Sequence, residues 1–328
     1  MIDISWTGTH NGLKTGECWS MNTLNDYVAE YIEYCEYRKR LDQNTLKAYR
    51  IDLRQYTDYL QNISEFYFKD NLDNYITYLH KQYKPKTVKR KIASLKAFFH
   101  YMEYKEVITE NPFSKLDIRF REAKLLPKTI PFHAIQTFLS TLYRQKELAT
   151  SEYQLRCCIR DIAVIELLFA TGMRISELCS LRPVDIDFIS NNILIYGKGA
   201  KERILQIGNP EVLSALSLYH ETFKSDIDTC GYFFVNRLQK KLSDQSVRYM
   251  ITRYAKLAGI EQHLTPHMFR HSFATLLLEQ DVDIRYIQRM LGHSSISTTE
   301  IYTHVSNIKQ KDILLNKHPR NLMDINQG

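Results

Sequence analysis

The sequence predicts a mainly α-helical protein in two units, with one small β-sheet in the second. Three observations lead there. Apolar residues recur at three- and four-residue spacing in segment after segment. Only Asn192–Tyr196 and Arg203–Ile207 read as β-rich runs, and they flank the turn-like stretch GKGAKE, as a hairpin would. Between 113 and 130 the periodicity weakens into a charged stretch with one proline, which reads as a linker. A chain of 328 residues with 44% apolar and 25% charged content can bury two cores. The expected division is an extension over 1–20, a helical unit over 21–112, the linker over 113–130, a second unit over 131–306 and a tail over 307–328.

Residues 1–20 are polar and aperiodic. Thr23 to Arg40 reads as an amphipathic helix. Asn44 to Leu60 reads as a second, with Leu46, Tyr49, Leu53, Tyr56 and Leu60 on one stripe. A third is expected over Leu72 to Gln82. A fourth should start near Pro85, which suits a first helical turn, with Val88, Ile92, Leu95 and Phe99 inward. Short connections make these four a small bundle. In the second unit, Phe132–Gln145 and Leu155–Thr171 read as helices, the latter closed by Gly172. Arg174 and Glu177 follow that glycine; after the hairpin, helices are expected over Glu211–Lys224 and Ser243–Leu257. Thr265 and Pro266 mark the start of another, with Phe269, Phe273 and Leu276 packing it down. Asp283 can cap the next, which carries Ile284, Ile287 and Leu291 and ends at Gly292. Ser297 and Glu300 have capping-box spacing, so a short helix should carry Ile301 and Tyr302, and Ile308–Leu315 is a further helical candidate.

Composition narrows the function classes. No apolar run is long enough to span a bilayer and no charged leader precedes an apolar core, so an intracellular, cytoplasmic protein is expected. Six cysteines without CxxC spacing suggest reduced thiols rather than disulfides or zinc. The net charge of +7 leans toward a polyanionic partner. From Lys81 to Met102 there are seven basic residues and no acid, and Lys86, Lys89 and Arg90 should share the outer face of the fourth helix. A solvated charge run is the plain reading; the missing acids favour phosphate contact.

The candidate chemistry lies in Arg174, Lys198, His267, Arg270, His293 and Tyr302. Singly, each has a plain structural reading. Together they are more specific. Two arginines can hold both non-bridging oxygens of a phosphodiester. The amide end of the helix bearing His267 would favour the same anion. Lysine and histidines can move protons. A tyrosine hydroxyl, with pKa about 10, needs cationic neighbours to act as a nucleophile. No aspartate cluster suited to Mg²⁺ lies in that stretch, so a phosphoryl-transfer site without a metal or other cofactor is expected.

The blocks ATGMRISELCSL, IYGKGAKERILQI, LTPHMFRHSFATLLLEQ and LGHSSISTTEIYTHV resemble the tyrosine recombinase/integrase family, of Xer and phage or transposon type. NTLKAYRIDL and KPKTVKRKIASLKAFFHYM resemble that family's helical core-binding domain, and the likeness spans about 22–310. The resemblance implies a SAM-like core-binding domain followed by a tyrosine recombinase catalytic domain. It implies that Arg174 and Arg270 grip the scissile phosphate and Tyr302 attacks it, giving a 3′-phosphotyrosine. Lys198 would protonate the departing 5′-oxygen, with Lys201 three residues on an alternative. His267 would assist proton transfer, His293 would hydrogen-bond the phosphate, and Glu177 would support the site. The implied partner is double-stranded DNA with an inverted-repeat core site, bound by a homotetramer or a heterotetramer with a related recombinase. The first 20 residues exceed the short start of a Xer protein but are too few for a separate arm-binding domain.

Two other readings remain. His267 and His271, four apart with His293 and His304 nearby, could form a zinc site, although HMFRH lacks the glutamate of HExxH. The same fold could also serve a DNA-binding regulator without catalysis.

Overall fold

The computed structural model describes residues 21–60, 68–116, 118, 128–197 and 202–292. The chain divides into two compact units, 1–124 and 125–328. His293, Tyr302, Lys198, Lys201, the extension over 1–20 and the tail over 307–328 fall outside the described residues, as do the helices expected after Ser297.

The first unit contains α1 (Met21–Glu33), α2 (Gln43–Leu60), α3 (Phe68–Gln82) and α4 (Pro85–Tyr104). The expected single helix over 23–40 changes at Tyr34–Arg38 into a π-helical turn. The stripe predicted for α2 faces inward: Leu46, Leu53, Tyr56 and Leu60 are wholly buried. Pro85 opens α4, where its missing N–H costs nothing, and Val88, Ile92, Leu95 and Phe99 enter the core. Aromatic pairs fill the centre, with Tyr31 against Phe98 at 5.5 Å and Tyr56 against Phe99 at 6.0 Å.

The basic run on α4 does have a compensating acid, supplied by another helix. Asp52 of α2 is buried and pairs with both Arg90 and Lys91, and it accepts a hydrogen bond from Ser94 at 2.8 Å. Lys91 is itself buried and lies over the Tyr83 ring. Lys86, Lys89 and Arg90 are exposed as expected, but the Arg90 guanidinium is anchored by Asp52. Local sequence hid this because the partner is 38 residues away.

The expected linker is folded at both ends. Pro112–Lys115 form a short 3-10 turn, and Phe113 joins the first core together with Leu116 and Ile118. At the other end Ile130 is buried in the second core, and its N–H donates to Ser272 Oγ at 2.7 Å.

The second unit is built around α6 (Glu152–Thr171), which packs against α5 (Phe132–Glu147), α8 (Pro210–Cys230) and α10 (Pro266–Glu279). Residues Ile162 to Leu168 of α6 are buried, at about 1.5–3 kcal/mol for each large apolar side chain. Glu166 sits among them with Tyr143 Oη donating to it at 2.8 Å. The short α7 (Ile175–Cys179) follows, and α9 (Asp244–Leu257) and α11 (Ile284–Leu291) complete the helices among the described residues. The helix expected over 211–224 runs six residues further to Cys230, where Gly231 stops it at φ +74°. The hairpin is β2 (Asn192–Tyr196) paired antiparallel with β3 (Glu202–Gln206), and a two-residue β1 (Ile186–Asp187) adds a third strand. Ile193 and Ile195 face the core. Among the described residues no helix is long and apolar enough to cross a membrane. The five described cysteines are free.

Candidate active site

Three chain reversals of the second unit set the site. The first is the end of α6. Gly172 adopts φ +57°, and a Cβ there would lie 2.5 Å from Phe273 Cδ1 and 3.0 Å from Leu291 Cδ2. Glycine is therefore required twice, by conformation and by the close approach of α10 and α11. The turn delivers Arg174 to the residue before α7, with its side chain about one-third exposed.

The second reversal starts α10. Thr265 caps the helix by accepting the Met268 N–H, and Pro266 takes the first turn. His267 is exposed on that turn, whereas Arg270, one turn on, is buried. The Arg270 guanidinium donates from Nη1 to the Gly172 carbonyl at 2.7 Å and from Nη2 to the Leu291 carbonyl at 2.6 Å. Charge-assisted bonds of this length are strong, and here they satisfy carbonyls at two helix ends. Burial, helped by the nearby His267 and Arg270, lowers the His271 pKa to about 4, so that imidazole is neutral at pH 7.

The third reversal is the end of α11, where Gly292 takes φ +65° directly before His293. Arg203 of β3 reaches it: Nε donates to the Met290 carbonyl at 2.8 Å. The same guanidinium donates to Glu177 at 2.7 and 3.2 Å. Glu177, buried at the start of α7, also accepts the Arg174 backbone N–H at 2.8 Å and Arg174 Nη1 at 2.9 Å. Burial pushes this carboxyl upward, but the bonds from Arg203 and Arg174 outweigh it and hold the pKa below the usual range. Arg203 was not among the residues singled out from the sequence. Its signal was alternation: Arg203, Leu205 and Ile207 share a strand face, so an arginine stands where an apolar residue is expected.

Arg174, Glu177 and Arg270 are thus joined through Gly172, Leu291 and Arg203, and His267 lies on the first turn of the Arg270 helix. Among the described residues, three guanidiniums (Arg174, Arg203, Arg270) converge on these elements with one carboxylate, Glu177. Such a surplus of fixed positive charge suits a bound phosphodiester. The zinc reading involves His293 and His304, which lie outside the described residues; within them no group of three or more ligand-type side chains is placed to hold a metal ion.

A model of the phage integrase family matches residues 133–308, and one of the phage integrase N-terminal SAM-like domain matches residues 28–106. The chain belongs to this family, that of the tyrosine recombinases, and combines a SAM-like helical domain with an integrase catalytic domain. Among its relatives, a tyrosine recombinase of Agathobacter rectalis is 56% identical over 305 residues, covering 92% of this chain and 98% of that one. Tyrosine recombinase XerD of Listeria innocua is 33% identical over 307 residues, covering 90% and 100%. The crystal structure of XerH bound to its difH substrate before cleavage shares the fold, with TM-score 0.66 and 21% identity over 91% of this chain and 85% of that one.

Proposed function

We propose that this chain cuts and rejoins double-stranded DNA at a specific site, with Tyr302 as nucleophile. The observation that carries the reading is Arg270. One buried guanidinium ties the turn that presents Arg174 to the end of α11, which supports the reading that these sequence blocks serve one anion-binding site. Arg174 and Arg270 neutralise the scissile phosphate, and Glu177 orients Arg174. The Tyr302 oxygen forms a bond to phosphorus while the bond to the 5′-oxygen breaks. Lys198, or Lys201 in its place, protonates that oxygen; His267 assists proton transfer and His293 donates to a phosphoryl oxygen. The 3′-phosphotyrosine retains the energy of the broken ester, so a free 5′-hydroxyl can reverse the step on a new strand without ATP.

The likeness of fold to XerH bound to its difH substrate favours DNA as the partner, and we take it to be duplex. Lys86, Lys89 and Arg90 form a basic face on α4 suited to phosphates of that duplex. An inverted-repeat core site, four protomers (this chain alone or with a related recombinase) and strand exchange through a Holliday junction complete the proposal, whether the event is integration, excision or dimer resolution. The division into a core-binding domain over 21–112 and a catalytic domain over 131–306, with a tail that contacts a neighbouring protomer, belongs to the same reading. Nucleoid association follows from the DNA partner.

The test uses a nicked duplex carrying the core site that the wild-type chain selects from a randomised duplex pool. Wild type should accumulate a covalent protein–DNA adduct on it. Tyr302→Phe should bind equally well and form none; an adduct that survives this change rejects the assignment.

A further inference from the structure

We propose that Arg203 is a positioning residue of this site: it shares the charge of Glu177 with Arg174 and at the same time fixes the end of α11. The inference rests on the reading of Arg174 as a phosphate-gripping residue.

Arg203 occupies an inward position of β3, opposite the wholly buried Ile195, and its side chain is only 11% exposed. A cation on such a face is costly unless its donors are used. Here they are used on two elements distant in sequence. Nη1 and Nη2 fork onto the two oxygens of Glu177, 26 residues before it. Nε holds the Met290 carbonyl, 87 residues after it. The backbone of α11 comes so close that a Cβ at Gly292 would stand 2.9 Å from Arg203 Nη1. Any larger residue at 292 would push the guanidinium away.

The consequence for Arg174 is electrostatic. Each Glu177 oxygen has one donor from Arg174 and one from Arg203: Oε1 accepts the two Nη1 groups, and Oε2 accepts the Arg174 backbone N–H and Arg203 Nη2. With Arg203 present the carboxylate is neutralised by two guanidiniums, and Arg174 keeps part of its charge for a phosphate. Without Arg203 the whole carboxylate charge falls on Arg174. A lysine in its place keeps the charge but cannot reach both Glu177 oxygens and the Met290 carbonyl in one plane.

The test compares two substrates in full-length protein: the nicked core-site duplex, and the same duplex with a methylphosphonate at the scissile position. The methyl group removes the negative charge that Arg174 neutralises. Arg203→Met should bind the duplex about as well as wild type and form adduct about 30-fold more slowly on the phosphodiester, less than the roughly 100- to 1,000-fold lost when a charge-stabilising donor is itself removed. Its methylphosphonate-to-phosphodiester rate ratio should exceed that of wild type by about tenfold, because the defect lies in phosphate neutralisation. Arg203→Lys should fall between the two, and it supplies the ratio if the methionine variant does not fold. An unchanged adduct rate overturns the proposal. So does an equal loss on both substrates, which would make Arg203 merely structural. Failure of the wild-type chain to form any adduct would instead overturn the reading of the site itself.

Discussion

Replacing Gly172 with alanine should destabilise the second unit by about 2–5 kcal/mol, and two separable effects make up that figure. A left-handed backbone costs a non-glycine residue about 1–2 kcal/mol, and Gly172 sits at φ +57°. Overpacking adds about 1–3 kcal/mol, since the new methyl would lie 2.5 Å from Phe273 Cδ1 and 3.0 Å from Leu291 Cδ2. Gly231 separates the two effects. It has φ +74° at the end of α8, and a Cβ added there would meet nothing within 4 Å, so Gly231→Ala should show the backbone cost alone. Urea unfolding should be followed by far-ultraviolet circular dichroism, which reads the helices of this unit directly. Gly172→Ala should lose at least about 1 kcal/mol more than Gly231→Ala, and adding Phe273→Ala should recover part of that excess through non-additivity. Equal losses at the two glycines would refute the close packing of α6, α10 and α11.

Three further outcomes follow from buried groups elsewhere. Asp52→Asn leaves Lys91 buried without its counter-charge and should destabilise the first unit by about 3–5 kcal/mol, much of it restored by a second change, Lys91→Met; denaturant midpoints of the two variants check this. Tyr56 carries a buried hydroxyl with no hydrogen-bond partner among the described residues, so Tyr56→Phe should leave stability unchanged or raise it by up to about 1 kcal/mol in the same unfolding assay. His271 titrates near 4 in the fold against 6.5 as a free side chain, so between these values the unfolded chain binds more protons. Its contribution is complete above pH 6.5 and is lost as pH falls toward 4, at up to about 1.4 kcal/mol per pH unit. The difference between wild type and His271→Asn should show that slope, and a flat difference would contradict it.

What could be read in the sequence was local. Pro85, Thr265 with Pro266, Asp283, Gly172 and Gly292 each act on the backbone within a residue or two, and each starts or stops a helix where its chemistry requires. The positions of Arg174 and Arg270 were legible for the same reason, being counted from those boundaries. What escaped was the pairing of groups far apart in sequence. Arg203 becomes intelligible only when β3 lies beside α7 and the end of α11, and Lys91 only when α2 brings Asp52 beneath it. The π-helical turn at Tyr34–Arg38 keeps the apolar spacing of an ordinary helix closely enough to be taken for one. Phe113 and Ile130 looked like linker because each is an isolated apolar residue whose partners lie in a distant part of its own unit.

The most direct test of the chemistry is to find which oxygen takes up the phosphate. Trypsin digestion of the trapped adduct should release one peptide, residues 290–309, bounded by Arg289 and Lys309 and containing Tyr302. Fragmentation mass spectrometry should place the residual nucleotide on Tyr302. A nucleotide on any other side chain, Tyr286 included, would contradict the mechanism.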